Sequence, residues 1–140
     1  MNSSAYADRR VVITGIGGVS PLGNDMQTTW KRLCNGESGI GPITLFDASA
    51  YNSRIAGEVK GFDAAEHMPA KDARRFAPFI AYAVAASREA LEDAGLKTIS
   101  NETQSANIDA NRCGVLIGSG AGGLAMQCEN YRTFLERGPR

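Results

Sequence analysis

Two glycine-rich stretches, one histidine and three cysteines are the residues of this chain whose types and spacing could do chemistry. Gly15-Ile-Gly-Gly18 and Gly118-Ser-Gly-Ala-Gly-Gly123 each follow an apolar run and precede a helical pattern. A turn of this kind either lets strand and helix pack closely or cradles a phosphate in backbone N–H groups at a helix N-terminus. Gly118, Gly120 and Gly123 satisfy G-x-G-x-x-G, the dinucleotide pattern, which also requires an acid at the end of the next strand. No such strand follows, and Glu136 falls on the helix itself. In the first turn Ser20 stands where a third glycine would be needed after Gly15 and Gly17. Close packing is therefore the favoured reading of both turns, with a nucleotide-binding α/β fragment as the weaker alternative.

A cysteine nucleophile needs a base within hydrogen-bond reach in an electropositive setting. The one histidine, His67, stands beside Met68-Pro69 and reads as a solvated loop residue. Cys34 and Cys113 belong to apolar patterns and read as small core residues, while Cys128 falls on the last helix, where packing outranks reactivity. An odd number of cysteines without a CxxC pair argues against a disulfide framework and against a zinc site, so reduced thiols are expected. No metal or cofactor is expected.

The elements that position these residues alternate in type. Arg10-Val-Val-Ile-Thr14 reads as a buried strand entering the first turn. A helix follows, with Asn24 as its expected cap, Met26, Trp30, Leu33 and Cys34 at helical spacing, and Gly36 at the left-handed position after its end. The segment from Gly36 to Asp63 reads mostly as ordered loop, with a short strand within Arg54 to Val59. Phe79, Ile80, Ala83, Val84, Ser87, Ala90, Leu91 and Ala94 recur at three and four residues and close on Gly95, which predicts a long helix. Pro78 fixes its start near Ala77, after a short turn over Lys71 to Arg75. Thr98 to Asn111 is polar and unpatterned and reads as a surface loop. Cys113-Gly-Val-Leu-Ile117 then predicts a second buried strand, and Leu124 to Arg137 a second helix behind the second turn. The alternation indicates an α/β layered fold with a mainly parallel, mixed sheet.

Composition sets the limits. A chain of 140 residues suits one domain, and 15 Lys plus Arg against 15 Asp plus Glu leave no global field for nucleic acid or an anionic membrane. No apolar run approaches the ~20 residues of a membrane-spanning helix, and the first residues lack an apolar signal core, so the chain reads as cytoplasmic, or as lacking its targeting segment.

Several segments together resemble the type II β-ketoacyl-carrier-protein synthases, in the long-chain branch. They are Arg9-Arg-Val-Val-Ile-Thr-Gly-Ile-Gly-Gly-Val-Ser-Pro-Leu-Gly23, Trp30, Asn35-Gly-Glu-Ser-Gly-Ile40, Ile55-Ala-Gly57 and Val115-Leu-Ile-Gly-Ser-Gly-Ala-Gly-Gly123. The resemblance runs from about Arg9 to Arg140, an incomplete N-terminal synthase domain (residues 9–140) behind a flexible leader (residues 1–8). It implies a thiolase-like fold, a homodimer, and fatty-acid elongation by decarboxylative Claisen condensation. In the family a cysteine takes the acyl chain from acyl-carrier protein, and two histidines assist malonyl-carrier protein in losing CO₂ and attacking the thioester. That cysteine follows a segment beginning Gly-Pro-Arg, here Gly138-Pro139-Arg140, so no catalytic residue can be assigned in this chain, and it is expected to be inactive alone.

Peripheral positions do carry over. Lys71, Arg74, Arg75 and Arg140 match basic positions that meet the acidic carrier protein; without the resemblance they read as a solvated basic helix end. Ala121 matches a position lining the acyl pocket near the dimer interface, often a larger apolar residue in the long-chain branch. Ala77 stands where an acid commonly caps the long helix, a loss of ~1 kcal/mol that Pro78 partly offsets. A reading of a different class is a non-catalytic dimerisation partner resembling the chain-length subunits of polyketide synthases. The residues after Arg140 discriminate the two, because only a synthase carries the nucleophile there.

Overall fold

The computed structural model describes residues 10–96 and 109–139. The leader over residues 1–8, most of the loop expected from Thr98 to Asn111, and Arg140 lie outside the described residues.

Helix α1 spans Met26–Cys34. Its cap is Asp25 rather than the expected Asn24: Asp25 accepts from Thr28 N at 2.6 Å and from Thr28 Oγ1 at 2.7 Å. Asn24 is turned to another task, donating through Nδ2 to Lys60 O at 3.1 Å. Lys31 and Arg32 lie in the last turn of α1, where the helix dipole favours cations, and Gly36 takes the left-handed conformation (φ 73°) just beyond it.

Strands β1 (Ile40–Pro42) and β2 (Ile55–Gly57) pair antiparallel, with Ile40 opposite Gly57, Gly41 opposite Ala56 and Pro42 opposite Ile55. The expected strand over Arg54 to Val59 is thus present in shortened form. Its partner β1 arises in a segment expected to be loop, because Gly41-Pro42 reads as a turn signal although proline is tolerated on an edge strand. Glu58 reinforces the ribbon from outside by accepting from Thr44 N at 2.8 Å, Thr44 Oγ1 at 2.6 Å and Leu45 N at 3.2 Å.

A 3₁₀ turn (Ala64–Glu66) and the one-turn helix α2 (Ala70–Ala73) lead into α3, Pro78–Asp93. Ala77 caps α3 without a side-chain hydrogen bond, Pro78 occupies its first turn, and Gly95 (φ 72°) ends it, as the periodicity predicts. Among the described residues the buried apolar ones are all small: Ala48, Ala77, Ala81 and Ala85. Helix α4 spans Leu124–Arg137 with Gly123 at its cap.

The two expected core strands are not formed among the described residues. Arg10 to Thr14 and Cys113 to Ile117 make no ladder, and their side chains face outward, with Val11 95% and Leu116 98% exposed. A strand needs a paired neighbour and a covered face, and the described residues supply neither for these runs. The ladder that does form joins segments close in sequence, where closing the loop costs least. The same lack of cover corrects the reading of the thiols: Cys34 and Cys113 are exposed, as is Cys128, and all three are free.

Candidate functional site

The first glycine turn lies flat on the C-terminal half of α3. A Cβ built on Gly15 would stand 2.6 Å from Ala94 N, and one on Gly17 2.7 Å from Ala90 N, with the carbonyls of Ala90 and Ala86 nearer still. Those neighbours are helix backbone and cannot swing aside, so glycine is required here by close approach. The turn's N–H groups point at two carboxylates of the same helix. Ile16 N donates to Asp93 Oδ2 at 2.9 Å, and Gly18 N donates to Glu89 Oε2 at 2.8 Å. The other oxygen of Glu89 accepts from Met26 N, at the start of α1, at 2.6 Å. The amides that could cradle a phosphate are therefore engaged by the protein's own anions, which supports the packing reading of this turn.

The second turn is held differently. Gly118 and Gly120 have nothing near the position of a Cβ, whereas Gly122 and Gly123 lie on the ring of Phe79 in the first turn of α3. Gly122 N donates to Ser119 Oγ at 3.2 Å, and Gly123 takes φ 80° as it enters α4. Ala121 is exposed on this turn.

The basic segment is built from an aromatic group upward. Phe62 stacks on His67 (centroids 5.0 Å, planes 7° apart) and meets Tyr82 of α3 edge-on at 4.9 Å. His67 is accordingly half-buried at the end of the 3₁₀ turn, not the solvated loop residue expected. Above this group the backbone of residues 69–76 turns tightly: Asp72 N donates to Pro69 O at 2.8 Å, Arg75 N to Asp72 O at 2.9 Å and Phe76 N to Asp72 O at 3.0 Å. Lys71, Arg74 and Arg75 are all exposed on this turn. None of them joins an ion pair among the described residues, where the pairs are Arg32 with Glu37 (2.6 Å) and Arg132 with Glu129 (3.5 Å). Arg140, the fourth basic position, is outside the described residues.

Carboxylates elsewhere are held below their usual range by donors. The Thr28 backbone N–H, with the Thr28 hydroxyl, lowers Asp25; the Arg32 guanidinium lowers Glu37; the Thr44 hydroxyl lowers Glu58. These are fastenings of loops and caps. Among the described residues no group of three or more His, Cys, Asp or Glu side chains could hold a metal ion, and no helix is long and apolar enough to cross a membrane.

Glu89 and Asp93 are the functional residues that sequence reasoning missed. A signal was present: α3 carries acids and no base in its final turn, against the preference of the helix dipole. Carboxylates so placed call for donors from outside the helix, and the first glycine turn provides them.

Residues 8–138 match the family model described as the β-ketoacyl synthase N-terminal domain. The chain is similar to the 3-oxoacyl-[acyl-carrier-protein] synthase 2 of Vibrio cholerae, with 47% identity over 132 residues, 94% of this chain and 30% of the relative. It is also similar to the synthases of that name from Synechocystis (44% identity, 94% of this chain) and Staphylococcus aureus (42%, 95% of this chain). The chain spans about 30% of the length of these curated relatives.

Proposed function

Since this chain belongs to the β-ketoacyl synthase family and carries its N-terminal domain, we propose that it serves 3-oxoacyl-carrier-protein synthesis by presenting the carrier and bounding the acyl chain. In the condensation, a cysteine thiolate attacks one carrier thioester and takes its acyl group, and that carrier leaves as its free thiol. A malonyl thioester then loses CO₂, and the resulting carbanion displaces the thiolate to give the 3-oxoacyl product. This chain has one histidine, stacked against Phe62, so the histidine pair of that reaction lies outside it.

The observation that carries the proposal is the trio Lys71, Arg74 and Arg75, exposed together on one braced turn at the start of α3 with no ion-pair partner among the described residues. A rigid rim of positive charge suits an acidic carrier protein, whose approach it steers and whose register it sets. Arg140 extends the same role, and Ala121 forms part of the acyl-pocket wall near a homodimer interface. The exposed runs Val11 to Ile13 and Val115 to Ile117 fit a cytoplasmic enzyme in which both become strands of a layered, thiolase-like sheet.

The test is association kinetics with acyl-carrier protein at two ionic strengths. Replacing Lys71, Arg74 and Arg75 by Glu should slow association by about tenfold at low salt, with the loss shrinking as salt rises. Association rates equal to those of the unaltered protein would assign these residues to plain surface and place the docking face elsewhere.

A further inference from the structure

The second glycine turn touches α3 through one side chain. A Cβ on Gly122 would stand 2.5 Å from Ser119 Oγ within the turn and 2.9 Å from both Cδ2 and Cε2 of Phe79, and one on Gly123 would stand 3.3 Å from Cε1 of the same ring and 3.6 Å from Ala77 Cβ. The ring thus lies under two consecutive glycines, while the earlier glycines of the turn, Gly118 and Gly120, face open space. Ala121 immediately precedes the supported pair and is exposed. Ala77, beside the ring, is 3% exposed, so the cap position of α3 is itself covered.

We infer that Phe79 is the positioning residue of the acyl-pocket wall, its ring fixing how far the turn carrying Ala121 stands from the start of α3. The acyl part of this inference rests on the reading of Ala121 given above; the packing part rests on the contacts alone. Phe79 follows the basic turn by four residues, with Ala77 and Pro78 between Phe76 and the ring. One rigid corner, the beginning of α3, therefore carries both the docking charges and the support of the wall. Nothing in this role brings Phe79 to the reacting atoms. It acts through the turn, by bulk, and an aromatic ring supplies a flat surface that glycine backbone can approach and a Cβ cannot.

The test has two arms. In the 140-residue chain, hydrogen exchange of residues 118–123 is followed by mass spectrometry. Phe79→Ala should speed exchange in that turn on the order of tenfold while residues 86–96 of α3 and its end keep their protection, and Phe79→Tyr, which retains the ring, should match the unaltered chain. Gly122→Ala, whose Cβ would meet the ring at 2.9 Å and Ser119 Oγ at 2.5 Å, should loosen the turn as well, and Phe79→Leu placed in that background should restore part of the protection by giving the methyl room on the ring side. Additive losses in the double variant, or faster exchange spread evenly over α3, would overturn the positioning role.

The second arm compares acyl donors differing by two carbons in a full-length synthase carrying this sequence as its N-terminal domain. Phe79→Leu should change the ratio of their kcat/KM values by about tenfold, through KM more than kcat. An altered turn with an unaltered ratio would overturn the acyl role and with it the reading of Ala121. An altered ratio with an unaltered turn would overturn positioning by Phe79 and leave that reading standing.

Discussion

The two glycine turns share composition and place, each between an apolar run and a helix, yet one is fastened and the other rests. The first is bound to α3 by two N–H donors on two carboxylates, one of which also holds the start of α1, and by glycines set against helix backbone. The second has a single aromatic ring beneath it and open space around its earlier glycines. Both open on the same G-x-G spacing, so spacing alone does not say what a glycine is for. At Gly15 and Gly17 it removes a clash with a helix; at Gly122 and Gly123 it makes room for a ring.

The largest effect should come from adding one methyl group to each turn. Gly17→Ala drives a Cβ into the backbone of Ala86 and Ala90, which cannot yield without breaking α3, and should cost about 3 kcal/mol in a urea titration. Gly120→Ala, where no atom lies within contact, should change stability by no more than about 0.5 kcal/mol. Equal costs at the two sites would erase the distinction between a fastened turn and a resting one.

A smaller effect separates charge from shape within the first turn. Glu89→Ala leaves Gly18 N and Met26 N without their acceptor in a part-buried position and should cost about 2 kcal/mol, in the range for hydrogen bonds to a charged group. Glu89→Gln keeps one acceptor oxygen and should cost about half as much. Asp93→Ala removes a single, exposed bond and should cost less than either. Were Glu89→Ala neutral in the same titration, the glycine contacts alone would hold the turn and the carboxylates would be incidental.

What was legible in the sequence follows from how local each signal is. Helix α3 was legible because its apolar period, Pro78 at the start and Gly95 at the end all lie within it. Helix α4, Gly36 and the core of β2 were legible for the same reason. Burial of Cys34 and Cys113, and pairing of Arg10 to Thr14 and Cys113 to Ile117, depend on surfaces distant in sequence, and for these the local pattern promised cover that the described residues do not give. Of the candidate site, the basic residues were readable only through resemblance, since their composition fits any helix end. The aromatic group nearby was hidden because Phe62, His67 and Tyr82 meet across a turn. The clamp on the first turn was written only as an anomaly, acids at the wrong end of a helix.

The smallest effect concerns the helices that the two turns lead into. Asp25 caps α1 with its carboxylate, whereas α4 begins at Gly123 with no side-chain cap at all. Because the Thr28 N–H holds Asp25 below its ordinary value of 3.8, folding favours the ionised form. The linkage therefore adds stability that is fully present above that value and is lost as pH falls through the lower, folded-state value. Asp25→Ala should cost about 1 kcal/mol near neutral pH and progressively less in acid, while Asp25→Asn, which can still accept from Thr28 N, should keep much of the cap and lose the pH dependence. Circular dichroism melts between pH 2 and pH 7 (about two units below the ordinary carboxylate value to three above) would show this as converging curves for the parent and the alanine variant. Parallel curves would mean that the carboxylate caps no more strongly than a neutral acceptor, and that α1 owes its start, as the first glycine turn does, to Glu89.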